Sequence, residues 1–446
     1  MNKAVFLEFV RGFVLKMFTG SEIIGEEPSS PRDNFVAQGE AGSIKIKFSK
    51  EDTFRVIVKR AQPFKNFEIH LIRSIIDEMK KLDELSLSSE YRHGLENIII
   101  EKAICRSLSS SSSKTLSLLL SKLGYWSQRT YEGKHPAIGC VVTRRKAGSK
   151  TNMNLHISRI FDKDFSAMLS DGEDSFVEIT ADGFVSDYVY APSKIDYSLY
   201  APYMNLKLAM LSVGSKIGVC LNHEGEILIF KDRSLLFAKR SGHWVCFTHD
   251  EIVSKLSEQA GEYEDVRRAI YLSALDTSFN RFGGCIVHIN SGDSQEVLKH
   301  IDEADVLLKE SYDTIQQNKI NQSFFATTFD TQTEIPEFDK FLTEEKCVKS
   351  ATLIKIISGK KFQELDRKLR QELIAMDGAT VIDYDGKLLA VGAIIKIEAG
   401  STGGGRLAAA KTLSNYGIAI KISNDGTMQG FKMDRNKLRA KTVFVI

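Results

Sequence analysis

One segment near the carboxyl end constrains the fold most strongly, because strand, turn, glycine-rich and helical patterns follow one another in a fixed order. Ala379–Ile382 predicts a strand, Tyr384-Asp385-Gly386 a tight turn, and 388–397 the partner strand. The run 399–405 contains four glycines. It therefore predicts a loop. The composition of Arg406–Tyr416 then predicts a helix.

A glycine-rich loop between a strand and a helix amino terminus favours an anion site. Free backbone N–H groups and the positive end of the helix dipole point to the same place. Arg406, at the head of the helix, can add a bidentate contact to phosphate oxygens. Asp377, which precedes the hairpin, indicates a divalent metal for the same phosphates. The alternative is a simple connector beside a turn carboxylate, because a lone glycine-rich loop is a weak motif.

These motifs resemble those of the catalytic domain of diadenylate cyclases, the DisA-type family. Asp377-Gly378-Ala379 matches the family's Asp-Gly-Ala motif in full. The second family motif, Gly-Thr-Arg-His-Arg, is matched in part, with Arg406 on its first arginine. Leu407 and Ala408 replace the histidine and the second arginine, and Gly405 replaces the threonine.

Two further segments carry the resemblance. Residues 422–426 (Ile-Ser-Asn-Asp-Gly) resemble the family's Val-Ser-Glu-Glu-Thr-Gly segment. Phe282–Val287 resembles the Gly-Ala-Leu-Ile-Val strand that opens the family domain and helps to enclose adenine. The resemblance extends over roughly residues 263–446.

The resemblance implies a nucleotidyltransferase that condenses two ATP molecules into cyclic di-AMP with Mg²⁺ or Mn²⁺ as cofactor. It also implies a homo-oligomer, because each active site holds one ATP and two sites must face each other. Asp377 and Arg406 are the implied catalytic residues, and Asp377 is also the implied metal ligand. The implied nucleotide contacts come from a wider set: Gly284, Cys285, Ile286, Gly378, Ala379, Thr402, Gly403, Gly404, Gly405 and Ser423.

Two alternatives stay open. The missing histidine and second arginine favour a sensor that binds an adenine nucleotide without reacting, and a related enzyme could make another cyclic nucleotide signal. All nine histidines lie at or before His300, so the last third of the chain has none. Chemistry there must use carboxylates, backbone amides, arginine and a bound metal.

Length and composition set the remaining limits. A chain of 446 residues can form two or three domains. A net charge of +2 gives no indication of bulk nucleic-acid binding. The six cysteines show no Cys-x-x-Cys spacing and indicate core residues in a reducing, cytoplasmic setting. No apolar run approaches the roughly 20 residues of a transmembrane segment.

The pattern along the chain predicts an α/β fold. Residues 1–205 are expected to form a regulatory or sensor-like α+β domain, 206–262 a three-stranded antiparallel meander with a connecting helix, and 263–446 a mixed-sheet nucleotide domain. Local patterns predict three further elements: a loop over 21–40, a helix over 303–317 and a strand at 354–357.

Overall fold

The protein is described by a computed structural model that covers most of the chain. It describes residue 7 and residues 10–15, 17–40, 42–47, 53–84, 89–133, 135–145, 155–256, 263–302, 305–307, 348–396, 404–436 and 439–446. Contacts divide the chain into two compact units, Met1–Glu251 and Ile252–Ile446. Helices and mixed sheets occur together, which confirms the α/β class. Over these described ranges, no helix is long and apolar enough to cross a membrane.

The first unit begins with a four-stranded antiparallel sheet of order β1-β4-β3-β2. Its strands are β1 (Glu22–Pro28), β2 (Val36–Gln38), β3 (Ser43–Ile46) and β4 (Phe54–Lys59). The predicted loop over 21–40 is therefore wrong. Glu27 of the edge strand β1 forms ion pairs with Lys45 at 2.9 Å and Arg55 at 2.6 Å. Cross-strand charge pairs stabilise this strand. Its sequence therefore does not show the apolar alternation from which a strand would be predicted.

A seven-stranded mixed sheet of order β11-β10-β9-β8-β5-β6-β7 forms the rest of this unit. Its strands are β5 (Ile138–Val142), β6 (Ser175–Ile179), β7 (Val185–Tyr190), β8 (Ile217–Leu221), β9 (Ile227–Lys231), β10 (Ser234–Arg240) and β11 (His243–Cys246). Its helices are α1 (Asn66–Glu84), α2 (Ser89–Leu108), α3 (Ser113–Trp126), α4 (Ile157–Ile160) and α5 (Leu206–Leu211).

The antiparallel meander predicted after residue 205 is confirmed, but it has a fourth strand. Ser241 and Gly242, both with positive φ, form the two-residue turn into β11. The meander continues the sheet of β5–β7, since β8 pairs with β5. The contacts therefore divide the chain after Glu251 rather than at residue 205. Helix α6 (His249–Lys255) crosses this division.

The second unit is built on a six-stranded sheet of order β14-β13-β12-β15-β16-β17. Its strands are β12 (Gly284–Ile289), β13 (Ala379–Ile382), β14 (Leu388–Ala393), β15 (Gly417–Ile422), β16 (Met428–Asp434) and β17 (Arg439–Val445). Strands β12 and β13 are parallel, and all other neighbours are antiparallel. The helices are α7 (Glu264–Phe279), α8 (Ser294–Leu298), α9 (348–357), α10 (Arg367–Ala375) and α11 (Gly405–Leu413).

The predicted hairpin of β13 and β14 and the helix after it are confirmed. The predicted strand at 354–357 is wrong, because these residues belong to α9. Leu353 and Ile357, four residues apart, are buried, whereas Ile356 is 50% exposed. This spacing is helical rather than alternating. The predicted helix over 303–317 lies outside the described residues except for 305–307, where Val306 bridges to Ala390 of β14.

The cysteines of the described ranges are core residues, as predicted. They are all buried: Cys105, Cys140, Cys220, Cys246 and Cys285. Burial disfavours the charged thiolate and so raises the pKa of each of them. Cys347 lies outside the described residues.

Candidate functional site

The Asp-Gly-Ala motif has a definite geometric role at the start of the hairpin. Gly378 has φ +105°, and a Cβ there would lie 2.5 Å from the carbonyl carbon of Gly392. Only glycine allows this approach of β13 to β14. Ala379 is fully buried and pairs with Ala393. The side chain of Asp377, just before this turn, is 99% exposed at the amino end of β13.

Arg406 approaches Asp377 from the first turn of α11. Its Nη2 lies 3.5 Å from Asp377 Oδ1. Such an exposed pair contributes little to stability. Gly404 precedes the helix with φ +86°, and open space surrounds the Cβ positions of Gly404 and Gly405. Among the described residues no side chain caps this helix, and the first N–H groups of an α-helix have no partner within the helix itself. The two predicted catalytic residues therefore meet beside an uncapped helix terminus.

Two residues that were absent from the predicted site complete it. A Cβ at Gly283 would overlap Arg406 Nη1 and Asn424 Oδ1, so both side chains lie directly against this glycine. Asn424 is held in the turn between β15 and β16. In this turn the N–H of Gly426 donates to the carbonyl of Ser423 at 2.8 Å. We call Gly283, Asp377, Arg406 and Asn424 the corner.

The corner pairs one cation with one carboxylate, and this pair does not use all of the cation's hydrogen-bonding capacity. Arg406 Nε is buried and has no hydrogen-bond partner within the described part of the chain. Burial raises the pKa of the nearby Cys285 thiol to about 12, although the charge of Arg406 acts to lower it. The one carboxylate of the corner, Asp377, projects into solvent, where water screens its charge. A ligand with several anionic oxygens can therefore contact the guanidinium and the helix terminus together.

A buried ion pair holds the end of β14, from which the glycine-rich segment departs. Lys349 Nζ lies 2.6 Å from Asp305 Oδ1 and donates to the carbonyl of Gly392 at 3.1 Å. Asp305 Oδ2 accepts the N–H of Ile394 at 3.2 Å. The side chain of Asp305 is 1% exposed. Sequence reasoning missed this pair, because its members are distant in the chain and neither belongs to a motif.

A second buried ion pair positions the helix that leads to Asp377. Arg367 in α10 donates to the two carboxylate oxygens of Asp276 in α7 at 2.7 and 2.8 Å. These side chains are 1% and 0% exposed. Two parallel hydrogen bonds fix both the distance and the orientation between the helices. Helix α10 ends only two residues before Asp377, so this pair also fixes the corner.

The remaining residues of the predicted nucleotide-contact set lie in β12, in the turn after β15, or outside the described residues. Gly284, Cys285 and Ile286 are buried within β12. A Cβ at Gly284 would lie 2.7 Å from the carbonyl oxygen of Ile374, so this glycine permits close packing of α10 on the strand. Ser423 immediately precedes Asn424 in the same turn. Thr402 and Gly403 lie outside the described residues.

The corner provides one carboxylate for a metal. Across the described ranges, no group of three or more His, Cys, Asp or Glu side chains could hold an ion. Mg²⁺ is commonly bound through one or two carboxylates together with substrate phosphates. The single exposed carboxylate of Asp377 fits that mode of binding, in which the nucleotide supplies the other ligands.

Comparison of the chain with protein-family models, with curated proteins and with solved structures found no match. The function is therefore inferred from the chemistry of the corner.

Proposed function

We propose that the second unit binds ATP at the corner and transfers its nucleotidyl group, as a diadenylate cyclase does. The observation that carries this proposal is the meeting of Arg406, Asp377 and the uncapped start of α11 at one edge of the sheet. A cation, helix N–H groups and a carboxylate in one place match the needs of a triphosphate bound with a divalent ion.

Each residue has a distinct task in this proposal. Arg406 and the first N–H groups of α11 bind phosphate oxygens through charge-assisted hydrogen bonds. Gly404 gives the phosphates room, because none of the described residues lies within 4 Å of its Cβ position. Asn424 orients Arg406 across Gly283. Asp377 would hold Mg²⁺ or Mn²⁺, which when bound neutralises charge on the phosphates.

The proposed reaction forms one ester bond and breaks one anhydride bond per transfer. The 3′-hydroxyl oxygen of one ATP attacks the α-phosphorus of another, the α–β phosphoanhydride bond breaks, pyrophosphate leaves, and the hydroxyl proton passes to water. Two transfers give cyclic di-AMP. The resemblance favours a cytoplasmic homo-oligomer with facing sites, in which the amino-terminal part of the chain senses a signal.

A nucleotide sensor is the second candidate. Arg406 is the one arginine that the second motif retains, because Leu407 and Ala408 stand in the other two positions. A corner with one cation can bind phosphate yet lack the charge stabilisation that a transition state requires. Binding without product would favour this candidate.

Calorimetric titration tests the phosphate site in both candidates. Titrate ATP and adenosine, with Mg²⁺, into the wild-type chain, Arg406→Ala and the control Arg439→Ala, an exposed arginine on the edge strand β17. One charge-assisted contact is worth about 1.5–3 kcal/mol, so Arg406→Ala should weaken ATP about 10- to 100-fold. Adenosine binding and the control should not change. Equal ATP affinity in Arg406→Ala and wild type would remove the corner from phosphate binding.

A further inference from the structure

The two larger sheets repeat one strand plan. The seven-stranded sheet has β5 in its interior, β6 and β7 on one side, and β8, β9 and β10 in turn on the other. In the six-stranded sheet β12 takes the place of β5, with β13 and β14 on one side and β15, β16 and β17 in turn on the other. The first two strands are parallel in both sheets. The other neighbours in this set are antiparallel. Six strands therefore agree in order and direction.

The pairing registers agree as well. In each sheet the parallel pairing of the central strand begins two residues after its antiparallel pairing: at Cys140 after Ile138 in β5, and at Ile286 after Gly284 in β12. On the parallel side Cys140 pairs with Val177, and Ile286 pairs with Thr380. Because side chains alternate between the two faces of a sheet, an equal register places equivalent side chains on equivalent faces. The two sheets can thus be compared residue by residue.

The helices repeat at the same points of the plan. Helix α5 lies between β7 and β8, and α11 lies between β14 and β15. A serine follows each helix at its C-cap, Ser212 or Ser414. The carbonyl of Ser212 accepts the N–H of Arg233 at 3.0 Å, and that of Ser414 accepts the N–H of Met433 at 3.1 Å. Arg233 lies in the turn between β9 and β10, and Met433 lies near the end of β16, so each helix end is hydrogen-bonded to the corresponding hairpin of the plan.

The carboxylate of the corner has a counterpart in the first unit. Asp174 lies three residues before Val177, as Asp377 lies three residues before Thr380. Both carboxylates therefore occur at the amino end of the second strand, at the same edge of their sheets.

The rest of the first unit's corner differs in chemistry. Asp174 forms an ion pair with Lys207 of α5. Met204 lies eight residues before Ser212, as Arg406 lies eight residues before Ser414, so Met204 takes the position of the arginine. Ala137 lies three residues before Cys140, as Gly283 lies three residues before Ile286, so Ala137 takes the position of the glycine. The connection 191–205 contains no glycine. Like Asp377 with Arg406, this carboxylate is paired with a cation, but the arginine and the glycine loop that would receive phosphates are replaced.

We infer that the chain contains two copies of one module, residues 113–240 and 264–445, and that only the second copy binds a nucleotide. The assignment of the ligand rests on the proposed function. The chain then binds one ATP, not two, and the first copy contributes a folded module without a phosphate site. Repetition of one supersecondary plan within a chain is the structural sign of such copies.

Matched variants in the two corners test this inference. Titrate ATP with Mg²⁺ into the full chain and into Lys207→Ala and Arg406→Ala, and follow urea unfolding of each protein to verify folding. One ATP per chain is expected. Lys207→Ala should leave the affinity and the stoichiometry unchanged, whereas Arg406→Ala should weaken ATP about 10- to 100-fold.

The possible failures are distinguishable. Two ATP molecules per chain, or weaker ATP binding in a folded Lys207→Ala, would overturn the inference while leaving the proposed function intact. No ATP binding by the wild-type chain would overturn the proposed function, and the assignment of a nucleotide to the second copy with it.

Discussion

Gly283 offers the sharpest single test of the corner, because its missing side chain is what lets Arg406 and Asn424 meet. A Cβ there would overlap Arg406 Nη1 and Asn424 Oδ1, both of which are ends of side chains. In Gly283→Ala these two side chains must therefore move, whereas the backbone of β12 can stay in place. We expect the free energy of unfolding to fall by less than about 1 kcal/mol, as for most changes that only displace side-chain ends at a surface.

Phosphate binding should respond much more strongly than stability. Displacement of Arg406 removes a charge-assisted contact worth about 1.5–3 kcal/mol, so ATP should bind about 10- to 100-fold more weakly. Gly124→Ala in α3 is the matched control, because no described residue lies within 4 Å of its Cβ position and it belongs to the first unit. Calorimetry with ATP and adenosine, together with urea unfolding, measures both quantities. Unchanged ATP affinity in Gly283→Ala would refute the role given to Arg406.

Two further predictions concern stability. Arg367→Leu removes the bidentate cation of the buried Asp276 carboxylate and should cost about 3–5 kcal/mol, while the double variant Arg367→Leu/Asp276→Leu should recover most of this loss. Equal urea midpoints for the single variant and wild type would contradict this. Burial, followed by a hydrogen bond with Asp385, raises the pKa of Asp383 to about 6. Its favourable contribution is therefore present below about pH 4 and is lost as the pH rises through 6. Asp383→Asn should be about 1–3 kcal/mol more stable than wild type at pH 8 and equal at pH 4; an equal gain at both pH values would count against it.

Local sequence patterns predicted those elements of the second unit whose conformation depends on residues adjacent in the sequence. Ala379–Ile382 and the helix after the glycine run follow from alternation, turn residues and composition. The sequence also predicted Asp377 and Arg406 as site residues, and the fold brings Arg406 Nη2 within 3.5 Å of Asp377 Oδ1. These elements are local, so their residues carry the necessary signal themselves.

Residues that act across long distances in the chain could not be found in this way. Gly283 is a site residue only because Arg406 and Asn424 converge on it from two other elements. The Asp305–Lys349 pair likewise depends on the packing of separate segments. The repeated plan was missed because its two copies share pairing and register more than residue types. One available signal was the recurrence of an Asp-Gly turn, Asp182-Gly183 and Asp385-Gly386, in the first hairpin of each copy.

Product formation tests the central claim, nucleotidyl transfer at the corner, most directly. Incubate the purified chain with each nucleoside triphosphate and Mg²⁺ or Mn²⁺, identify the products by mass spectrometry, and repeat the assay with Asp377→Asn. This substitution removes a charge and almost no volume from a side chain that is 99% exposed, so the fold should persist. We expect cyclic di-AMP and pyrophosphate from ATP with the wild-type chain and neither with Asp377→Asn. Full product yield from Asp377→Asn, or no nucleotide product from the wild-type chain under any of these conditions, would contradict the account.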